Sequence, residues 1–302
     1  MTSPKSLRKK NNESLTEKII GKYLLISASV SILTIIAILG TFLYQSLNFF
    51  GQVPLIDFIT ETKWTPLFKP AYFGVAPLIS GTLLVAAISL IVSVPLGVCT
   101  AIFLSEYASD RLRRFIKPIL EILAGIPTVV YGYFAITYVT PKLKIVFPDL
   151  IIFNALSAGL VMGLMIIPMI SSLSEDAMIS VPRLLREGAY ALGARKFEVA
   201  LRIVIPASIS GIITSIILAM SRAIGETMIV SIAAGSTPRL TLNPLNSIQT
   251  MTAYINQISL GEASFYSVQY QTIFAVGTTL FLLVFILNTI GYWVTKTYQR
   301  RY

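Results

Sequence analysis

Long apolar runs alternate with short polar segments along almost the whole chain. A helix needs about 20 apolar residues to cross the hydrocarbon core of a bilayer, and six runs of that order follow one another. We place the predicted spans at about residues 23–47, 76–104, 115–140, 152–174, 207–234 and 272–295. The pattern therefore predicts an all-α polytopic membrane protein with six transmembrane helices.

The polar segments define the predicted domain organisation. Residues 1–22 form a basic tail, residues 23–47 the first span and residues 48–75 an external segment. The remaining core, residues 76–302, contains a polar loop at 175–206. Because the apolar core of a signal peptide has only about 7–15 residues and the first run has about 25, we expect the first span to be retained.

Composition narrows the class of function. Only 13% of the 302 residues are charged and 55% are hydrophobic, whereas a soluble domain has about 25% charged residues. The chain has no histidine, so the commonest general base and metal ligand is missing. Cys99 is the only cysteine, which excludes an intrachain disulfide and a cysteine zinc cluster. We expect neither catalytic residues nor a metal site, and a soluble hydrolase or metalloenzyme is not indicated.

The positive charge follows the membrane topology. The net charge is +10, and eighteen of the 24 basic residues lie on one set of alternate connecting segments, against five on the other. The eighteen are Lys5, Arg8, Lys9, Lys10, Lys18, Lys22, Arg111, Arg113, Arg114, Lys117, Arg183, Arg186, Arg195, Lys196, Arg202, Lys296, Arg300 and Arg301. Basic residues concentrate on the cytoplasmic side of membrane proteins, so both termini and the 175–206 loop are predicted to be cytoplasmic. Orientation thus explains most of the charge without nucleic-acid binding.

The 175–206 loop has the pattern of two short helices joined by a tight turn. Pro182 suits the first turn of a helix, and Gly193 suits the left-handed position after its end. A second helix from about Ala194 to Ile205 is expected to place Phe197, Leu201 and Val204 on one side, and Pro206 to restart the chain as the fifth span. On the residues alone, this element is either a coupling lever for a soluble partner or an amphipathic hairpin on the membrane surface.

Ionisable residues also occur within the predicted spans. Arg222 lies about 15 residues after Pro206, or about 22 Å along a helix, and Glu226 follows at i+4, on the same face and close enough to pair. Such residues usually face a bundle interior or a water-filled path. The pair either locks helices together or lets Arg222 attract an anion with Glu226 as its counter-ion. Glu121 is expected to pair with Lys117 near the cytoplasmic edge.

Glycine and proline predict the shape of two further spans. Gly125, Pro127 and Gly132 are expected to interrupt or bend the third helix, as is tolerated where a helix lines a cavity. Gly159 and Gly163 form a small-xxx-small pair in the fourth span, which is typical of close helix packing.

Several motifs resemble those of a known family. The loop reads Glu187-Gly-Ala-Tyr-Ala-Leu-Gly193, continues to Ile203-Val-Ile-Pro206, and is similar to the ATPase-docking loop of ABC-importer permeases, with Gly188 and Ile205 as departures from the usual alanine and leucine. The segments similar to phosphate permeases of the Pst system are Pro77-Leu-Ile-Ser-Gly-Thr-Leu83, Val94-Pro-Leu-Gly97, Leu104-Ser-Glu-Tyr107, Leu123-Ala-Gly-Ile-Pro-Thr-Val-Val-Tyr-Gly132 and Arg222-Ala-Ile-Gly-Glu-Thr227. The following Met228-Ile-Val230 resembles the PstC type rather than the PstA type.

The resemblance implies a type I (MetI-like) permease fold and a multi-pass subunit of the bacterial plasma membrane. It implies a heterodimer with a PstA-like permease, a PstB-like ATPase dimer and a PstS-like phosphate-binding protein, with inorganic phosphate as substrate. The chain itself is then expected to bind no cofactor, since ATP and Mg²⁺ are used by the partner ATPase and the chain has no P-loop. The implied ATPase-docking residues are Arg186, Glu187, Ala189, Gly193, Ile203 and Pro206, and the implied pathway residues are Arg222 and Glu226.

Other functions remain open at the level of sequence. The same loop occurs in permeases for molybdate or sulfate, and the chain also has features of the PstA-type partner. A channel or secondary transporter would need no ATPase, and a phosphate sensor could use the same surfaces.

Overall fold

The computed structural model describes residues 15–265 and 267–299. The rest of the chain, including most of the predicted basic tail, lies outside the described residues. The same holds for six of the basic residues counted above, namely Lys5, Arg8, Lys9, Lys10, Arg300 and Arg301.

Helices account for the regular structure of the described residues. They are α1 (Leu15–Phe50), α2 (Leu55–Thr60), α3 (Ala76–Ile102), α4 (Asp110–Gly125), α5 (Thr128–Phe134), α6 (Thr140–Val146), α7 (Ala155–Ile179), α8 (Arg183–Ala191), α9 (Lys196–Val199), α10 (Ile205–Gly225), α11 (Met228–Ala233), α12 (Met251–Gln257) and α13 (Val268–Gln299). Single π-helical turns lie at Phe103–Tyr107, Ala135–Val139, Ala200–Val204 and Ile258–Glu262. An isolated antiparallel bridge joins Trp64 and Phe73. The predicted all-α class is confirmed.

The predicted number of spans agrees with the structure if one span is counted as broken. Five segments are long and apolar enough to cross a membrane: Glu17–Phe50, Ala76–Tyr107, Ala155–Ile179, Lys196–Gly225 and Val268–Thr297. The sixth consists of Asp110–Gly125 and Thr128–Val146, which are bent by 86°.

Proline causes the break in the third span. α4 ends at Gly125, and Ile126 is extended with ψ 129°, as expected for the residue before a proline, whose ring disfavours the helical region at that position. Pro127 then precedes the first residue of α5. The bend expected at Gly125 and Pro127 is therefore confirmed, whereas Gly132 lies inside α5, where a Cβ would approach Ile232 Cβ to 3.0 Å.

The fifth span differs from its predicted bounds at both ends. α9, the π-helical turn Ala200–Val204 and α10 form one continuous segment, so the expected separate helix and restart at Pro206 are wrong. A π-helical turn immediately before Pro206 accommodates the missing N–H and the bulk of the ring without ending the helix. At the other end α10 stops at Gly225, because Glu226 is extended with ψ 133°.

Small residues bring α3 and α7 into close contact at the centre of the bundle. A Cβ on Gly159 would lie 2.7 Å from Ile88 Cβ, and one on Gly163 would lie 3.0 Å from the carbonyl oxygen of Ser89. A Cβ at Gly159 would therefore force Ile88 to shift, and one at Gly163 would be tighter than most Cβ contacts, so both positions favour glycine. The packing role predicted for Gly159 and Gly163 is confirmed.

An aromatic cluster closes the end of the bundle opposite α8. Trp64, from the segment between α2 and α3, is 1% exposed and packs edge-on against Tyr254 of α12, with ring centroids 4.9 Å apart. Phe58 of α2 also packs edge-on against Trp64, with ring centroids 6.1 Å apart. Below, we call this the far end, and the end at which α8 and α9 lie the loop end.

Candidate functional site

The turn between α8 and α9 has the predicted geometry. Gly193 has φ +84°, in the left-handed region that favours glycine, and its N–H donates to the Tyr190 carbonyl at 2.9 Å. The N–H of Ala194 donates to the Ala189 carbonyl at 3.1 Å. The role expected for Gly193 is therefore confirmed, while Pro182 stands just before the first helical residue rather than within the first turn.

Arg186 joins α8 to the body of the bundle. Its Nε and Nη2 lie 3.3 and 3.2 Å from Oε1 of Glu106, which lies at the end of the second span. Its Nη1 donates to the Val181 carbonyl at 2.6 Å and its Nη2 to the Met178 carbonyl at 2.7 Å. The side chains of Arg186 and Glu106 are only 16% and 4% exposed. Arg186 is therefore a half-buried residue that holds α8 against the bundle, and its expected contact with an ATPase stays a prediction.

The other residues expected to dock an ATPase fall into two groups. Glu187 and Gly193 are exposed. Ala189 and Ile203 are half-buried and pack against the apolar cluster that holds the loop to the bundle, and Pro206 is half-buried at the second position of α10. In this chain, the latter three support the loop from beneath.

The loop exposes a set of apolar side chains, of which the sequence pattern placed Phe197 and Leu201 on one side of the second loop helix. This exposed loop patch comprises Leu184, Leu185, Leu192, Phe197 and Leu201, which are 79%, 50%, 91%, 63% and 44% exposed. Exposed apolar residues in this number, away from a predicted span, indicate a contact surface. Val204 is fully buried, so its predicted place beside Phe197 and Leu201 is wrong, since the π-helical turn rotates it away from their face.

A cavity of about 370 Å³ with a mixed apolar and charged lining lies between α4, α7 and the last turn of α10. It is lined by Lys117, Leu120, Glu121, Ala124, Met165, Pro168, Met169, Ser172, Glu175 and Arg222. Arg222 is thus placed in the cavity by the end of α10, as a pathway role requires. Charged groups of both signs face a cavity within the predicted membrane-spanning region.

Glu226 does not pair with Arg222 among the described residues. α10 ends before it, so the two side chains do not share a helical face, and the predicted i+4 pairing is wrong. Instead Glu226 Oε1 accepts hydrogen bonds from the N–H groups of Met228 at 3.0 Å and Ile229 at 3.3 Å. Its carbonyl accepts from Thr252 Oγ1 at 2.7 Å. Glu226 thereby closes the first turn of α11 and ties it to α12.

The partner expected for Glu121 is also different. Lys117 Nζ lies 3.1 Å from Glu175 Oε2 and 4.0 Å from Asp176 Oδ1, while Glu121 lines the cavity. Glu175 has no exposed surface, and Arg113 Nε lies 2.6 Å from its Oε1. Sequence reasoning missed Glu175, although an acidic residue directly after an apolar span was a usable signal. No cluster of His, Cys, Asp or Glu that could hold a metal occurs in the part of the chain that the structure describes.

Comparison with known proteins yields matches over most of the chain. Residues 93–302 match the family model "binding-protein-dependent transport system inner membrane component". The probable ABC transporter permease protein YqgH of Bacillus subtilis is 34% identical, over 87% of this chain and 84% of that protein. The phosphate transport system permease protein PstC of Mesorhizobium japonicum is 33% identical, over 82% of this chain and 79% of that protein.

A solved structure supports the same architecture. A bacterial ABC transporter involved in the import of the acidic polysaccharide alginate matches with a TM-score of 0.65 over 94% of this chain and 99% of that chain. The sequence identity is 16%, so this likeness shows the fold alone. The predicted type I (MetI-like) permease fold is confirmed.

Proposed function

The chain belongs to the family of binding-protein-dependent transport system inner-membrane components, and we propose that it is the PstC-type permease subunit of an ATP-driven importer of inorganic phosphate. It is a multi-pass membrane protein of an ABC importer. The name of the Mesorhizobium japonicum relative and the phosphate-permease motifs support the choice of substrate.

The position of Arg222 is the observation that carries this function. A guanidinium that lines a cavity between membrane-spanning helices attracts an anion, and its forked N–H groups match two oxygens of a tetrahedral oxyanion. Glu226 acts on the pathway indirectly, because its carboxylate fixes the backbone conformation of the residues that follow α10.

Energy reaches the cavity through the loop. The exposed loop patch, together with exposed Glu187 and Gly193, forms the surface on which a PstB-like ATPase docks. Arg186 joins that surface to Glu106 and to the end of α7. A displacement of α8 is therefore transmitted directly to two other elements of the bundle. Hydrolysis of Mg-ATP takes place on the ATPase, and this chain acts as a transmembrane subunit without chemistry of its own.

The complete transporter contains a PstA-like permease, an ATPase dimer and a PstS-like binding protein in the bacterial plasma membrane. Lys or Arg residues are concentrated at the loop end, at Arg113, Lys117 and Arg186 among others, which supports a cytoplasmic loop end. The far end, closed by the aromatic cluster, then faces the binding protein.

Uptake by the purified complex in liposomes tests this function. Phosphate uptake should depend on ATP, and Arg222→Gln should lower it roughly 10- to 100-fold, the loss expected for a hydrogen bond to a charged group. Lys22→Gln, which removes an exposed positive charge near the start of α1, is the control and should change uptake little. Amounts of assembled complex are measured in parallel.

Three results would contradict parts of this function. Uptake of sulfate or molybdate without phosphate would make the chain a permease for another oxyanion. A complex without a bound ATPase would indicate a channel or secondary transporter. A loss of assembly in proportion to uptake in Arg222→Gln would make Arg222 a structural residue.

A further inference from the structure

A buried carboxylate at the loop end of α7 binds two basic side chains of α4. Glu175 has no exposed surface, and it lies 2.6 Å from Arg113 Nε and 3.1 Å from Lys117 Nζ. The next residue, Asp176, is 65% exposed and lies 4.0 Å from Lys117 Nζ. Glu175 is therefore the close, dehydrated counter-ion of both cations, whereas Asp176 is a solvated neighbour.

The two cations, unlike Glu175, are accessible to solvent. Arg113 is 31% exposed and Lys117 is 32% exposed. Lys117 also lines the same cavity as Arg222. A small anion that enters at Arg222 can therefore reach Lys117 without crossing packed protein. The two Glu175 oxygens lie at ion-pair distance from these cations but accept no hydrogen bond from a described residue. The guanidinium and the ammonium therefore have N–H donors available for two oxygens of an oxyanion.

α4 is the least embedded wall of this cavity. None of its residues is buried, and it begins after a serine N-cap and ends at the 86° break before α5. Its outward face carries the exposed apolar residues Leu112, Phe115, Ile119 and Ile122. Its inward face carries Arg113, Lys117 and Glu121, spaced four residues apart. The ion pairs with Glu175 thus fasten the loop end of α4 to α7.

We propose that Arg113 and Lys117 form a second oxyanion site, at the loop end of the cavity, in which Glu175 is the resident ligand and a transported oxyanion takes its place. This proposal rests on the proposed function, because it requires that the transported anion passes through the cavity. The transported anion would then have two binding sites in the cavity, one at Arg222 and one at the loop end.

Replacement of Glu175 is coupled to the opening of the cavity. If an anion took both cations while α4 stayed in place, Glu175 would remain buried without a partner, which is strongly unfavourable. The exchange is therefore favourable only when α4 moves away from α7 and water reaches Glu175. In the absence of an anion the same ion pairs hold the loop end of the cavity closed.

Labelling of a cysteine placed in the cavity tests the site. Cys99, the only cysteine, is replaced by serine, and Ser172, which lines the cavity and is exposed, by cysteine. The intact transporter in inside-out vesicles is then treated, without ATP, with an anionic sulfonate and a cationic trimethylammonium methanethiosulfonate of similar size. The ratio of the two labelling rates reports the charge preference of the cavity.

Glu175→Gln should raise the rate ratio in favour of the anionic reagent by about tenfold or more, because a negative charge next to both cations is removed. Asp176→Asn removes the same charge from the exposed neighbour and should change the ratio less than about twofold, since solvent screens it. Inorganic phosphate should slow labelling by the anionic reagent. Lys117→Gln, which keeps the Arg113–Glu175 pair, should lower the ratio about tenfold.

Specific outcomes would overturn the second site. They are an unchanged ratio in both Glu175→Gln and Lys117→Gln, an equal acceleration of both reagents in Glu175→Gln, or an Asp176→Asn effect as large as that of Glu175→Gln. Labelling requires neither ATP nor phosphate uptake. If the expected charge preference appears but sulfate or molybdate protects in place of phosphate, the site stands and the phosphate assignment fails.

Discussion

Replacement of Arg186 by methionine should loosen the loop from the bundle. Methionine retains most of the apolar bulk but removes every donor, so Glu106 loses its two contacts of 3.2 and 3.3 Å. The carbonyls of Val181 and Met178 lose their bonds as well. Loss of one partner from a buried ion pair costs about 3–5 kcal/mol. Because Arg186 retains some exposure, we expect the lower end, about 3 kcal/mol in the free energy of unfolding.

The unfolding of the purified permease in mixed detergent and SDS micelles measures this change. Glu187→Gln, one residue along α8 but exposed, is the matched control and should alter the free energy of unfolding by less than about 0.5 kcal/mol. Both variants should bind less ATPase in co-purification, Arg186→Met because α8 is displaced and Glu187→Gln because the contact surface is altered.

A double-mutant cycle with Glu106→Gln separates the ion pair from general disruption. If the two side chains stabilise each other, the double variant should be more stable than the sum of the single effects predicts, by about 1–3 kcal/mol. Additive effects, or an Arg186→Met variant as stable as Glu187→Gln, would refute the structural role of Arg186 in holding α8 to the bundle.

Three glycines give further predictions, with stability measured as above. Gly188→Ala should raise the stability of the permease by about 0.5–1 kcal/mol, because a Cβ there meets nothing within 4 Å and α8 loses a flexible residue; lower stability would contradict the exposed helical position. Gly97→Val should lower it by about 1–3 kcal/mol, since its Cβ would lie 2.8 Å from Ile170, while Gly125→Ala, with open space around it, serves as the tolerated control. Gly193→Val should cost about 1–2 kcal/mol at its φ of +84° and raise the ATP hydrolysed per phosphate transported without preventing membrane insertion; normal coupling would count against the loop as a lever.

Local signals in the sequence were sufficient for the architecture. Span number and the bend at Pro127 follow from apolar run lengths and from the geometry that proline imposes on its neighbours. The left-handed turn at Gly193 follows from glycine's freedom at positive φ. The position of Arg222 at a cavity was also predictable, because an arginine within an apolar run has few other stable environments.

Errors arose where a short-range rule was extended past a break in the helix. Arg222 and Glu226 would share a face only if α10 continued, but Gly225 is a helix-end signal that the i+4 argument overlooked. In the same way, the π-helical turn at Ala200–Val204 rotated Val204 away from Phe197 and Leu201. A change of one residue in helical register moves a side chain from surface to core.

The sequence by itself determined the spans, the loop and the family, since each depends on residues within about one or two helical turns of one another. Only the tertiary structure decided which charges meet. Arg186 lies 80 positions from Glu106, and the cations of α4 lie a whole broken span away from Glu175 on α7. Such pairs form because helix packing removes the charged groups from water, and an unpaired buried charge would raise the free energy of the folded state. No local sequence pattern shows which helices pack together. The turn at Gly193 can therefore be predicted from the sequence, whereas the Arg186–Glu106 contact beneath it and the ion pairs between α4 and α7 are properties of the assembled bundle.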